Sequence, residues 1–571
     1  MQTEVVAMRL AIIGGGVSGL SSAYYLLEQA QPGDRPLHID IYERKSTLGG
    51  NADTVVVDLG DFIDADGARQ AYLRWADLGV NDVNLTTYVE LKKIMEKIGY
   101  LDKMKPLQDT ACYFNNDGSL ALTDDAALRE GVSDGAFSID SADDGLLAPL
   151  ITVVHHSALN LLAEITPQYT VGQFFDDCLA RPEAMLSQAA SQLKIVIDWC
   201  DPQLAARIGR VRDAIYYPRI AAMYFTDENG PETLPLQSPF AYYQLQEGQG
   251  KDTKPDRRYF AHGAQKWLEA LAAYLLSHSS DVVSIRLHTD AGVKVDVEAG
   301  QVTVRGPGRL PAQYDMCVLA THADDTLALL NFGVDMRDFG QHIGAILSKV
   351  RYTRGYAVCH TYGGVMPQNK NIWRTYNVLQ RNVGDSSFPY RMTYVCNLHQ
   401  NDPLNPDYAH AGLPLFLVSL VKSLNDIPYQ AMLDRVRDTR RINPRMLAEL
   451  PRATQRQLQG ELLRSGLATG NAPSRLANKA WTVFKHNVLD AECIASQQEI
   501  QDYNEATAIQ IADGRQPVCS LLFAGGWTIG AGLHEQCLVR SAMIAGAILP
   551  ALREGLIPAE ESDPVVAARA A

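Results

Sequence analysis

Two glycine-rich stretches carry the first chemistry that this chain offers. Gly14-Gly15-Gly16-Val17-Ser18-Gly19 fits G-x-G-x-x-G, and "GGWTIGAGLHEQCL" runs from Gly525 to Leu538 near the other end. In the first stretch Gly14 permits a tight turn, Gly16 lets a pyrophosphate approach the backbone, and Gly19 allows close helix–strand packing. A helix opening near Ser18 turns free N–H groups and a partial positive charge toward the diphosphate. Glu43 lies 24 residues after Gly19, where a carboxylate accepts from ribose hydroxyls and argues against a 2′-phosphate. Arg44, then Gly49, Gly50 and Asn51, follow. This second glycine pair is more than a plain nicotinamide dinucleotide needs. It suits a longer dinucleotide, and the Gly525–Gly526 entrance suits the far end of the same ligand.

The residues that might act on a substrate are fewer. His534 and Glu535 open the helix after the second glycine loop, so they stand next to whatever that loop binds; a first-turn Glu also favours the helix dipole. His360 in "AVCHT" sits on an apparent strand, where a histidine is more often structural. Trp527, Thr528, Tyr242 and Tyr243 are aromatic or polar groups that suit either a pocket or a core. No His or acidic spacing suits a metal.

The elements that must position these groups follow from the pattern. "MRLAIIG" reads as a buried parallel strand, the segment from about Ser18 to Gln29 as a helix, and "LHIDIYE" as a second strand, together a βαβ unit. From about Leu85 to Gly250 helical patterns dominate, including "TYVELKKIMEKIG" and "LLAEITPQYTVGQFFDDCLA". Gln265–His278 is an amphipathic helix, and strands follow to Thr321, with "YDMCVLAT" buried. An Arg-rich helical stretch is expected around Arg435–Arg475. "CSLLFAGG" is a last buried strand, leading into a helix from about His534 to Arg553 that Pro550 is expected to kink or end a turn early.

Composition narrows the class. The chain has 571 residues, 46% hydrophobic and 20% charged, an ordinary globule long enough for two domains. A net charge of −15 without a basic block argues against a nucleic-acid partner. Nine widely spaced cysteines, an odd number with no CxxC, argue against a disulfide framework and suit a reducing compartment. The longest apolar runs fall short of the roughly 18–20 residues of a transmembrane span. Residues 1–7 read as a leader or alternative start and 556–571 as a flexible tail. The location expected is cytoplasmic, with peripheral membrane contact and oligomeric state left open.

The N-terminal motifs, "ERKSTLGGNADT", "DLGVN" (Asp77 to Asn81), "YDMCVLATHADD" and "LLFAGGWTIGAGLHEQCLVRSAMIAGAIL" resemble the FAD-binding flavoproteins that include amine oxidases, phytoene desaturases and protoporphyrinogen oxidase. With "RYTRGYAVCHT" and "MTYVCNLHQ", the blocks are similar to a bacterial group of FAD-binding, amine-oxidase-like proteins, some associated with cyclopropane and other modified fatty acids. The likeness is weakest over about 100–250. It implies FAD as cofactor, with Asn81 near the ring, Val293 at the adenine, Ala320 and Thr321 at a strand end, and Gly525, Gly526, Trp527, Leu533, His534 and Glu535 around the flavin. It also implies a water-holding role for Lys349, as for a lysine in several amine oxidases, against the ordinary reading of an exposed lysine. Covalent attachment through Cys537 does not match the expected local pattern.

The fold expected is α/β: a Rossmann-like FAD domain assembled from 1–90, 255–330 and 515–555, and an inserted α+β substrate domain from 91–254 and 331–514. The function expected is an FAD-dependent oxidoreductase taking a hydride from a C–H or C–N centre of a small or lipid-like substrate. The alternative is a redox-neutral isomerase that shifts double bonds in unsaturated fatty acids. A non-catalytic flavin module ranks last, because no interaction stripe or tail supports it.

Overall fold

The computed structural model describes residues 7–63, 67, 69–108, 110–115, 118, 120–123, 147–224, 230–246, 255–379, 391–400, 415–436, 476 and 478–554. The expected leader, apart from Ala7, and the tail lie outside them, as does almost all of the Arg-rich stretch 435–475.

A five-stranded parallel sheet forms from distant parts of the chain, in the order Val283–His288, Leu37–Tyr42, Met8–Ile13, Met316–Leu319, Leu521–Phe523. Met8–Ile13, Met316–Leu319 and Leu521–Phe523 are nearly continuous apolar runs, as buried parallel strands are, whereas Leu37–Tyr42 and Val283–His288 alternate apolar and polar residues. The first helix, Val17–Gln29, is buried along most of its length. It packs against the last helix, His534–Glu554, and Ser541 Oγ donates to the Ser18 carbonyl at 2.9 Å. The two glycine entrances therefore stand side by side. The last helix runs through Pro550 to Glu554 instead of ending early. Ala551 and Leu552 in its final turn are buried in the same core as the sheet, and that burial holds the turn together beyond the proline.

A seven-stranded mixed sheet lies across the cavity from this layer. Its order is Trp481–Asn487, Tyr352–His360, Leu417–Val421, Met392–Val395, Tyr376–Leu379, Ala111–Phe114, Leu120–Thr123. A three-stranded sheet of Asp82–Asn84, Arg257–Phe260 and Met104–Pro106 bridges toward it. Helices between Leu147 and Gln246 close the remaining side. The segment "LLAEITPQYTVGQFFDDCLA" is not one helix. A helix ends at Leu161 and another starts at Val171. Pro167 cannot donate a helical hydrogen bond. Thr170 then forms a reciprocal cap with Gln173, its Oγ1 accepting from Gln173 N and its own N donating to Gln173 Oε1.

No cysteine forms a disulfide. By length and composition one described helix, His534–Arg553, is apolar enough to span a bilayer, although the apolar runs of the sequence alone suggest none. It is 67% buried inside the protein, as a core helix is.

Candidate functional site

The first glycine loop is built so that side chains are excluded. Gly14 has φ +117°, and a Cβ there would meet the Ala320 carbonyl oxygen at 2.6 Å. A Cβ on Gly19 would lie 1.9 Å from the Gly14 carbonyl oxygen, so helix and loop touch backbone to backbone. Glu43 serves this loop directly. Its Oε2 accepts from Gly15 N and its Oε1 from Lys45 N, both at 2.8 Å. A carboxylate has further lone pairs, so this use is compatible with a ribose contact. Gly49 N donates to the Gly15 carbonyl at 3.0 Å, and the Gly49-Gly50 turn closes over Gly16.

These loops form one wall of a cavity of about 1550 Å³. Of the sequence-expected residues, Gly14, Gly16, Ser18, Glu43, Arg44, Gly49, Gly50, Asn51, Asn81, Val293, Ala320, Thr321, Gly526, Trp527, Leu533 and His534 line it. Gly19 and Gly525 stand behind the wall: Gly19 against Gly14, and Gly525 where a Cβ would meet the Thr321 carbonyl oxygen at 2.2 Å. Arg44 is held at the rim by Asp325 at 3.2 Å. Tyr242 lines the cavity, while Tyr243 is buried in a ring cluster with Tyr216 and Phe240.

Three candidates stand elsewhere. Glu535 turns away: its carboxylate accepts from Glu90 N at 2.9 Å and Leu91 N at 3.0 Å, capping the helix Val89–Lys97. Lys349 is outside the cavity lining, paired with Glu499 at 2.5 Å, both side chains more than a third exposed. His360 is buried within the seven-stranded sheet. Its Nε2 bonds Ser419 Oγ at 2.8 Å and its Nδ1 accepts from Tyr362 N at 3.0 Å. It is not among the lining residues, and burial pushes its pKa down to about 3.

The second glycine loop leaves unusual loose ends. His534 Nδ1, Trp527 Nε1 and Thr528 Oγ1 are buried without a hydrogen-bond partner among the described residues. Buried polar atoms are normally satisfied; His534 and Trp527 line the cavity, where a ligand would supply partners, whereas Thr528 is not among the lining residues. Burial alone pushes His534 down to about 4, leaving a neutral imidazole at physiological pH, and its ring stands edge-on to Trp267 at 5.4 Å. The Cys537 thiol, also lining, is pushed up to about 11 by burial. Asp77 of the "DLGVN" segment faces the protein. Its Oδ1 accepts from Thr54 Oγ1 at 2.5 Å and Ala264 N at 2.9 Å, and burial pushes its carboxyl up to about 8.

The opposite wall was not legible in the sequence. It is largely apolar, with Tyr113, Ile151, Ile195, Ile215, Met392 and Leu420. A polar station of Asp82, Tyr88, Gln246, Arg257, Tyr376 and Tyr394 interrupts it, and Arg219 lines the cavity as well. Only Asp82 carried a signal, its position immediately after Asn81. The others come from a helix, a bridging strand and the mixed sheet, far apart in sequence.

Comparisons with known proteins agree with this architecture. Residues 12–80 match the NAD(P)-binding Rossmann-like domain. The chain is 26% identical over 145 residues to a zeta-carotene desaturase of Arabidopsis thaliana, covering 25% of this chain and 21% of that protein. It is 26% identical over 117 residues to the zeta-carotene desaturase of Synechocystis, 20% of each chain. The matched region thus spans about a fifth of these relatives. The crystal structure of a CLA-producing fatty acid isomerase from P. acnes shares the fold, with a TM-score of 0.51 at 14% identity over 94% of this chain and 98% of that one. The chain is an α/β protein with a Rossmann-like NAD(P)-binding segment at residues 12–80, a likeness to zeta-carotene desaturases over about a quarter of its length or less, and the fold of the fatty acid isomerase.

Proposed function

We propose that this chain is an FAD-dependent oxidoreductase acting on a C–H or C–N centre of a small or lipid-like organic molecule. The observation that carries the reading is the shape of the cavity. Ligand pockets commonly measure about 300–1,000 Å³, and this one, at about 1550 Å³, joins a glycine-lined wall to an apolar one. It has room for a dinucleotide and a substrate face to face.

The residues fit FAD. The Gly14–Gly19 loop and the first helix would hold the pyrophosphate, Glu43 a ribose, Val293 the adenine side, and Gly526, Trp527, Leu533 and His534 the flavin end. When bound, FAD supplies the hydride acceptor and passes the electrons on to oxygen or another acceptor. The chain's own contribution is binding and environment. The last helix presents its N-terminus, and with it a partial positive charge, to the flavin end. Neutral His534 offers a hydrogen bond there without a competing charge. The apolar far wall excludes water and aligns the substrate.

A second reading is favoured by that apolar wall and by the fold shared with a fatty acid isomerase: a redox-neutral shift of double bonds in unsaturated fatty acids. An absorbance spectrum of the purified protein and of its acid supernatant tests the common premise. Flavin bands released as FAD support both readings; folded protein without flavin sinks them. Product mass then separates the two: oxidation removes two hydrogens whatever the electron acceptor, and isomerisation leaves the mass unchanged.

A further inference from the structure

Two side chains that do not line the cavity hold the second glycine loop from behind. Gln497 stands half-buried on the helix Ala491–Ala512. Its Nε2 donates to the Trp527 carbonyl at 2.9 Å and to the Gly530 carbonyl at 2.8 Å, and its Oε1 accepts from Gly530 N at 3.1 Å. Carbonyls only accept and a peptide N–H only donates, so these bonds fix the amide's orientation. Arg540, buried on the last helix, donates from Nη2 to the Thr528 carbonyl at 2.9 Å. The Ile529 carbonyl accepts from Gly532 N at 3.1 Å. The carbonyls of Trp527, Thr528, Ile529 and Gly530 are therefore all committed inside the protein.

The N–H groups are not. Thr528 N donates to the Gly525 carbonyl at 2.9 Å and Leu533 N to Gln536 Oε1 at 3.1 Å, but Ala531 N has no acceptor among the described residues. In a trans peptide the N–H points opposite to the carbonyl before it. The Gly530 carbonyl is drawn toward Gln497, so the Ala531 N–H points away from Gln497, and Ala531 lines the cavity. Gly530 and Gly532 have φ +50° and +71°, and glycine allows many other peptide orientations here. Side chains behind the loop select this one. The helix that carries Gln497 is itself anchored. Ser496 Oγ donates to the Ile346 carbonyl at 3.0 Å, and Asn504 exchanges two bonds with the backbone of Phe523, at 2.9 and 3.0 Å.

We propose that Gln497 and Arg540 are positioning residues for the flavin end of the cavity: they hold the loop's carbonyls outward and leave the Ala531 N–H for an acceptor on bound FAD. This rests on the flavin reading and deepens it with two residues outside the cavity lining.

Equilibrium dialysis of the full-length protein against FAD tests it, with each variant read as a ratio to the wild type at the same pH. In Gln497→Glu the ionised side chain only accepts and faces two carbonyls; protonated, it donates to one of them again. Its FAD affinity is expected to be at least about tenfold below the wild type's at about pH 8, the size of one well-made hydrogen bond, and to recover toward it at about pH 5. Gln497→Met and Arg540→Met should each lose about tenfold at both pH values. Asn504→Asp makes the same chemical change on the same helix but acts on the strand Leu521–Phe523, so it should lower the urea midpoint and leave FAD affinity unchanged. Wild-type affinity in either Met variant overturns the proposal. So does a loss in Gln497→Glu that is equal at both pH values, or one that Asn504→Asp shares. Circular dichroism identifies folded variants, and Gln497→Glu, which keeps the size and shape of the side chain, carries the test where a Met variant does not fold. Folded wild type that binds no FAD removes the flavin reading and this one together; wild type that binds FAD beside unaffected variants removes this one alone.

Discussion

The two walls of the cavity are made differently. The nucleotide wall is backbone: glycines, turns and two helix N-termini, with one carboxylate, Glu43, holding a loop in shape. The far wall is side chain: aliphatic groups, tyrosines and a buried ion pair brought from separate elements. A backbone wall binds what every member of a nucleotide-binding fold binds, because peptide N–H groups do not vary between sequences. A side-chain wall is free to vary, and substrate choice resides there. Damage to the first should therefore remove cofactor and fold together, whereas damage to the second should change only what is bound.

The largest effect is expected from Gly19→Val. Its Cβ would sit 1.9 Å from the Gly14 carbonyl oxygen, and backbone cannot step aside as a side chain can. A loss of about 3 kcal/mol, the upper end for overpacking, is expected, read by urea denaturation, together with loss of flavin from whatever folds. A variant that keeps flavin at wild-type stability would break the contrast between the walls.

Asp77, buried behind the cavity lining, gives a pH signature. Its folded pKa of about 8 lies above the unfolded value of about 3.9. Between those values the folded state holds more protons than the unfolded state, so stability falls as pH rises. The decline begins above about pH 4 and levels off above about pH 8. Asp77→Asn should flatten this part of the profile when denaturation midpoints are compared at pH 5 and pH 8. A wild-type profile without that decline contradicts the neutral, buried carboxyl.

Glu535→Ala should cost about 1–2 kcal/mol, the worth of a lost helix cap, because two N–H groups of the helix Val89–Lys97 lose their acceptor. A thermal melt reads this, and flavin content should change little; loss of flavin without loss of stability would return Glu535 to the site. The smallest effect belongs to Lys349→Met. An ion pair this exposed is worth less than about 1 kcal/mol, and neither flavin content nor spectrum should move. A shifted flavin spectrum would restore the water-holding role that the family resemblance implies.

Much of the nucleotide wall was legible because its parts are local. A strand, a glycine turn and a helix are adjacent in sequence, and the steric demand for glycine at positions 14 and 19 is written in the residue type itself. His534 was legible for the same reason, as the residue next to a glycine loop. Lys349 and His360 were different. Nothing in their neighbourhoods distinguished a cavity from an exposed ion pair with Glu499 or from a sheet interior with Ser419.

The sequence by itself determined the Rossmann-like architecture and the glycine cradle, because backbone sterics and hydrophobic period act over a few neighbouring residues; that Glu43, expected at a ribose, also accepts from Gly15 N was decided by the structure. It did not determine that Asp82, Gln246, Arg257 and Tyr376 would meet, or which way their protons would point. Those facts depend on pairings such as Asn84 with Arg257, which places a guanidinium beside a carboxylate 175 residues away. Only the tertiary structure decided them, because burial and hydrogen-bond direction are properties of contacts between elements and not of any element alone.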